Sequence, residues 1–167
     1  MEEPEVWDAA DYGVPQFRQR MFVVGSRGQG RFEMPKKRDQ IGARRVLSDL
    51  PGPHALNHET RRHKVESVAR YMVLDYGKRD QLGRVDRLTP SRPSKTVIAG
   101  GTNGGGRSHL HPEIPRTLSV RECARLQTFP DDYKFIGPTA RQFTQVGNAV
   151  PPVLAATLAT QIAKAFF

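Results

Sequence analysis

Cys123 is the only cysteine of the 167-residue chain and lies in the stretch Ser119-Val120-Arg121-Glu122-Cys123-Ala124-Arg125-Leu126. A thiolate is a good nucleophile, so this position is the first candidate for covalent chemistry. Its neighbours argue for packing instead. Ser119 and Glu122 have the S-x-x-E spacing of a capping box, in which each side chain satisfies the other residue's backbone N–H. That register makes Leu118 the N′ residue and Cys123 the N4 residue, the two that meet in a hydrophobic staple. A helix start can lower a thiol pKa, but burial and the adjacent Glu122 oppose it. Cys123 is expected to be an apolar filler, and no residue of the chain is expected to be the nucleophile.

Arg18 and Arg20 alternate along Gln16-Phe17-Arg18-Gln19-Arg20. The planar guanidinium fork binds a phosphate or a carbonyl through paired donors. Read alone, two such arginines are also what an exposed edge strand carries. The five histidines, His54, His58, His63, His109 and His111, come without a Cys-x-x-Cys or His-Glu-x-x-His pattern. They read as polar surface or loop residues, and no metal site is expected. The stretch 100–106 (Gly-Gly-Thr-Asn-Gly-Gly-Gly) lacks the Gly-Lys-Ser/Thr ending of a phosphate loop and reads as a flexible connection.

The elements that position these residues follow from pattern. Strands are expected at 5–12 and 20–24, paired like a hairpin through the turn Gly13-Val14-Pro15. A helix over 41–50 stops at Pro51-Gly52-Pro53, and a second spans 60–74 with the stripe Val65, Val68, Ala69 and Met72. Residues 77–93 read as polar and irregular, and 96–99 as a brief strand. The last helix begins after Pro151-Pro152, where proline needs no N–H. Leu154, Leu158, Ile162 and Phe166 recur at every fourth position, and the helix is apolar on nearly every side. Such a helix needs burial on more than one face. A chain of this length builds one core, or one core and a small appendage, so a missing or separate partner is expected.

The net charge of +9 has a location. Residues 27–95 hold 17 Lys and Arg against 8 Asp and Glu, which is the whole excess. An imbalance confined to one segment favours a polyanion partner, nucleic acid first. A single cysteine permits no internal disulfide and fits a reducing cytoplasm. The acidic N-terminus has no apolar core and does not read as a secretory signal. Residues 142–163 are uncharged, but Asn148, Pro151, Pro152 and Gln161 make them a poor membrane span. A cytoplasmic location without a membrane partner is expected.

Three motifs stand in order. They are Gln16-Phe17-Arg18-Gln19-Arg20; the long stretch Arg116-Thr117-Leu118-Ser119-Val120-Arg121-Glu122-Cys123-Ala124-Arg125-Leu126-Gln127-Thr128-Phe129-Pro130; and Gln145-Val146-Gly147-Asn148-Ala149-Val150-Pro151-Pro152. Together they closely resemble the eighth, ninth and tenth motifs of the DNA (cytosine-5)-methyltransferases, and the match spans essentially the whole chain. The family's Pro-Cys-Gln nucleophile motif, Glu-Asn-Val motif and aromatic-x-Gly-x-Gly cofactor loop do not occur here.

The resemblance implies an α/β fold: the C-terminal part of a Rossmann-like S-adenosylmethionine-dependent methyltransferase plus a small target-recognition region. It divides the chain into terminal strands with the Q-x-R-x-R motif (1–26), a basic recognition region (27–95), and the ninth and tenth motifs with the closing helix (96–167). In the family a thiolate adds to cytosine C6, an acid supports N3, and C5 attacks the methyl group of S-adenosylmethionine. The target base must first leave the stack. This chain would bind double-stranded DNA and complete a catalytic domain whose nucleophile lies in an N-terminal half, as a split subunit or as part of a longer enzyme. By resemblance, Arg18 and Arg20 hold DNA phosphate and the flipped cytosine, with Gln16 supporting the same strand in the DNA-binding set. Asn148, Ala149 and Val150 line the cofactor pocket shared with the missing half. Arg121, Glu122 and Arg125 organise the ninth motif's interface. The rival is a non-catalytic DNA-binding remnant of such an enzyme.

Overall fold

Trp7 sets the position of the first element. It is buried in strand β1 (Glu5–Asp8) while its neighbour Val6 is exposed, the alternation of a strand with one covered face. β1 pairs antiparallel with β2 (Gln19–Phe22), Trp7 opposite Arg20 and Val6 opposite Met21. The expected hairpin forms, but its first strand ends four residues early. The Asp8 carboxylate accepts hydrogen bonds from the backbone N–H of Ala10 and of Arg18, both at 3.1 Å. That turns the chain into a single 3-10 turn, Ala9–Tyr12, closed by Gly13 at φ 85°. The computed structural model describes residues 5–27, 30–49, 52, 54–99 and 108–167. The glycine-rich stretch 100–106, and Pro51 and Pro53 of the expected helix stop, lie outside the described residues.

Helix α1 (Arg44–Leu47) is one turn, shorter than its sequence suggests. Helix α2 (Val65–Val73) forms, but its apolar stripe does not face inward. Val65 and Met72 are exposed, and Tyr71 is the buried residue, packed with Val85, Leu110 and Leu74. Periodicity shows that a face is apolar but not what neighbour is large enough to cover it. That neighbour is a small sheet in the order β3 (Arg79–Asp80), β4 (Val85–Arg87), β5 (His109–Leu110), antiparallel then parallel. Two of its strands lie in the stretch read as irregular. The strand expected at 96–99 is not formed. The backbone of Val97 instead meets side chains: its N–H donates to Gln16 Oε1 at 2.7 Å and its carbonyl accepts from Arg18 at 3.3 Å.

The main core gathers Leu118, Cys123, Ala124, Leu126, Phe135, Phe143 and Val146 with Ala43, Leu47 and Val97. They come from α1, α3 (Val120–Leu126) and α4 (Thr139–Asn148), the last not anticipated from sequence. The capping box is as expected: Glu122 N–H donates to Ser119 Oγ at 3.1 Å and Ser119 N–H to Glu122 Oε2 at 2.7 Å. Cys123 is fully buried beside Leu118, and burial, with Glu122 next, pushes its thiol well above the ordinary range. A second core joins Trp7, Tyr12 and Val14 to Leu154 of α5 (Pro152–Phe166). Only Leu154 of α5 is buried, so most of that apolar helix stays uncovered. Residues 139–166 are long and apolar enough to cross a membrane by length and composition, but Ala149–Pro151 is extended and divides them into two helices.

The histidine reading needs correction. His109 and His111 are buried, and His58 and His63 hydrogen-bond Ser119 Oγ and Thr117 Oγ1. Isolated histidines look polar in sequence, yet a neutral imidazole can satisfy local partners inside a core. Burial, partly opposed by Asp86, pulls His109 down to about 4. Between that value and the ordinary 6.5 the unfolded chain binds the extra proton. This stability is therefore complete above about pH 6.5 and lost as pH falls towards 4, up to a few kcal/mol. Urea titrations across that range should show the slope, and His109→Asn should reduce it by about one proton.

Candidate functional site

The three sequence motifs converge on the C-terminal end of α4. Gln16, fully buried, donates from Nε2 to the carbonyl of Leu126 at 3.4 Å and accepts from Val97. Arg18 is 2% exposed and crosses the same space. Its Nη1 donates to Val97 O, and its Nη2 donates to Gly147 O at 2.5 Å and Ala149 O at 2.9 Å. These last two carbonyls belong to the end of a helix, where backbone acceptors are left over and the dipole favours a cation. Burial, then the nearby charge of Arg20, lowers Arg18 to about 10, so it remains charged at neutral pH. The fork is spent on carbonyls of the chain itself, and Gln16 is likewise spent inside. The structure therefore gives both residues a positioning role at this turn, where the motif suggested direct DNA contact.

The ninth motif reaches the same end from the other side. Gln127 Nε2 donates to Val146 O at 2.9 Å. Thr128, at φ 65°, accepts at Oγ1 from Val153 N–H at 3.2 Å. That hydroxyl supplies the cap which Pro151 lacks at the start of α5. Neither residue was singled out from sequence; the signal was a buried polar pair directly after an apolar helix. Gly147 allows the close approach. A Cβ there would sit 2.3 Å from Ala99 N and 2.6 Å from Ala99 Cα.

Held in this way, Asn148 and Val150 are exposed and Ala149 is half-buried between them. The turn presents a carboxamide, with donor and acceptor, beside an apolar edge. Arg20 is partly exposed on β2, its Nη1 donating to Gln19 O at 2.6 Å. Phe17 forms one wall of a cleft of about 270 Å³ whose other walls include Asp86, Leu88, Arg92 and Lys95. The cleft separates the Q-x-R-x-R segment from the small sheet.

Arg121, Glu122 and Arg125 organise the ninth motif. Glu122 is buried against both guanidinium nitrogens of Arg116, each 2.7 Å away. Burial raises its pKa most, but Arg116 and the Ser119 N–H outweigh it and hold the carboxyl below its ordinary value. Arg121 donates to the carbonyls of Leu56, Pro130 and Tyr133, and Arg125 binds Asp131 and Asp49.

The fold is that of a known enzyme class. A solved chain described as a DNA modification methyltransferase encoded within an E. coli prophage matches with a TM-score of 0.79. The match covers 98% of this chain and 60% of that one, and at 22% identity it is a likeness of fold alone. The model of the C-5 cytosine-specific DNA methylases matches residues 2–164, and the chain belongs to that family. It is 38% identical to Type II methyltransferase M.BbvI of Brevibacillus brevis, over 98% of this chain and 49% of that relative. It is 33% identical to M1.HphI of Haemophilus parahaemolyticus, over 96% and 47%. The chain thus spans about half the length of these relatives. It is also 37% identical to M.AquIB of a Picosynechococcus strain, over 70% of this chain and 93% of that relative.

Two substitutions separate positioning from surface roles. Arg18→Met leaves three carbonyls unpaired and should destabilise the chain by about 1–3 kcal/mol, while Arg20→Met should stay within about 0.5 kcal/mol, by urea denaturation. Gly147→Ala should cost about 1–3 kcal/mol, because its Cβ meets backbone that must shift.

Proposed function

We propose that this chain is the DNA-binding and completing half of a cytosine-5 DNA methyltransferase, active when joined to a half that carries the nucleophile. The observation that carries the reading is the turn Asn148-Ala149-Val150, presented by Gln16, Arg18, Gln127 and Thr128 from all three motifs. A turn fixed so thoroughly and yet exposed at Asn148 and Val150 is suited to a ligand. Its carboxamide and apolar edge fit the polar and apolar portions of S-adenosylmethionine, which would supply the electrophilic methyl group when bound. Arg20 is the free cation of the motif, and we assign it to a DNA phosphate or the extruded cytosine. Arg18 acts through the turn. The basic region 27–95 takes the duplex, which places the chain's work in the cytosol beside the DNA.

The N-terminal half would cover α5 and the outer face of β1 and β2, where Val6, Met21 and Val23 are exposed. An apolar surface of that extent is a marker of an interface. The coverage of M.AquIB, 93% against about half for the other relatives, supports a form in which the halves are separate chains.

Co-expression with a family half bearing Pro-Cys-Gln and Glu-Asn-Val should give a stable heterodimer that transfers labelled methyl groups from S-adenosylmethionine to cytosine. This chain by itself should transfer none. A companion that forms neither complex nor activity would leave the remnant reading in place. In the active complex, Arg20→Ala should lower methyl transfer by about a hundredfold or more, as loss of a positioned charge does, whereas Arg45→Ala on exposed α1 should change it little.

A further inference from the structure

The tip of the β3–β4 hairpin is built unlike the rest of the basic region. Its four loop residues are Gln81, Leu82, Gly83 and Arg84, and Leu82 is 79% exposed at the apex. A flexible loop would expose leucine at little conformational cost, but this one is fastened. Asp80, itself buried, accepts the Gly83 N–H at 2.6 Å on Oδ2 and the Arg70 Nε at 3.0 Å on Oδ1. Arg79 ties the other side, donating to Asp86 at 2.7 Å and to the Arg84 carbonyl at 3.2 Å. Gly83 is required beneath the apex, since a Cβ there would lie 2.6 Å from Asp80 Oδ2 and 2.7 Å from the Tyr71 hydroxyl. Arg84 holds φ 52°, a left-handed conformation that costs a non-glycine residue about 1–2 kcal/mol. Strain and apolar exposure on a pinned element mark a site that meets something.

We propose that this tip enters a groove of duplex DNA and reads base edges, with Gln81, Leu82 and Arg84 as specificity-determining residues. The inference rests on the DNA-binding reading above and names the part of that surface which would discriminate sequence. A two-stranded ribbon is narrow enough for the major groove, about 12 Å wide. Arginine pairs two donors with guanine, glutamine pairs donor and acceptor with adenine, and an apolar side chain meets the thymine methyl. Lys78 and Arg84 beside the apex provide the positive charge that brings such an element to phosphate. The fastening by Asp80 and Arg79 keeps the three side chains in register, which base-edge recognition needs and phosphate contact does not.

The test uses the complex with the N-terminal half and a duplex pool with a randomised centre. Cys123 is fully buried, so Leu82→Cys directs an iron-chelate tether to the tip. Tyr133→Cys, at an exposed position outside the hairpin, serves as the control. Cleavage from the tip should fall in a discrete run of base pairs and exceed the control by at least about tenfold. Arg84→Ala should lower the preference for selected over unselected duplex by roughly tenfold to a hundredfold, the range for one lost base contact. Cleavage no stronger than the control on retained duplex, or an unchanged preference in both Arg84→Ala and Leu82→Ala, would overturn the tip assignment alone. Dimerisation of the complex that is abolished by Leu82→Ser would overturn it in favour of a second copy. A complex that retains no duplex would overturn the DNA-binding reading itself, and this inference with it.

Discussion

The guanidinium of Arg18 sits where the end of α4, the segment around Val97 and strand β2 would otherwise leave carbonyls facing one another. A buried carbonyl without a donor costs on the order of 1–3 kcal/mol, and three meet here. One rigid fork satisfies all three, which no other side chain does from a single position. The arrangement has consequences beyond its own energy. With Val97 held by side chains, residues 96–99 do not join a strand ladder, and Gly147 can lie against Ala99. The end of α4 is thereby fixed relative to the β1–β2 hairpin.

The ninth motif completes this frame through polar groups that sequence alone makes look catalytic. Glu122 is a buried carboxylate, yet its partners Arg116 and Ser119 lock it into a cap and a bidentate pair. Such a group is held ionised and fully occupied, which suits orientation and not proton transfer. Arg121 likewise spends its donors on three carbonyls, and Gln127 on a fourth. The chemistry-bearing residue types of this chain are largely consumed in building a surface. What remains outward is Arg20, Asn148, Val150 and the basic recognition region.

The chain is unbalanced in how it treats apolar surface. One core is closed around α3 and α4, whereas α5 buries only Leu154, and the hairpin leaves Val6, Met21 and Val23 in the open. Uncovered helix and uncovered strand occur on the elements that flank the fixed turn. A half-domain would have this character, because the hydrophobic effect has been satisfied only where the chain can fold against itself. The same incompleteness is visible in the coverage of the longer relatives.

Much of this could be read before any coordinates. The motif order, the capping box at Ser119, the packing role of Cys123 and the uncovered closing helix follow from residue spacing and local hydrogen bonding, which sequence encodes directly. The hairpin was legible from its turn residues, but not its early stop, because Asp8 acts on N–H groups two and ten residues away. The small sheet, the inward face of α2 and the buried histidines were decided by tertiary structure. Each depends on which neighbour is near enough to cover or satisfy a group. The same reason governs Arg18: sequence specified a guanidinium at that position, and only folding decided that it would meet carbonyls from two distant segments instead of a phosphate.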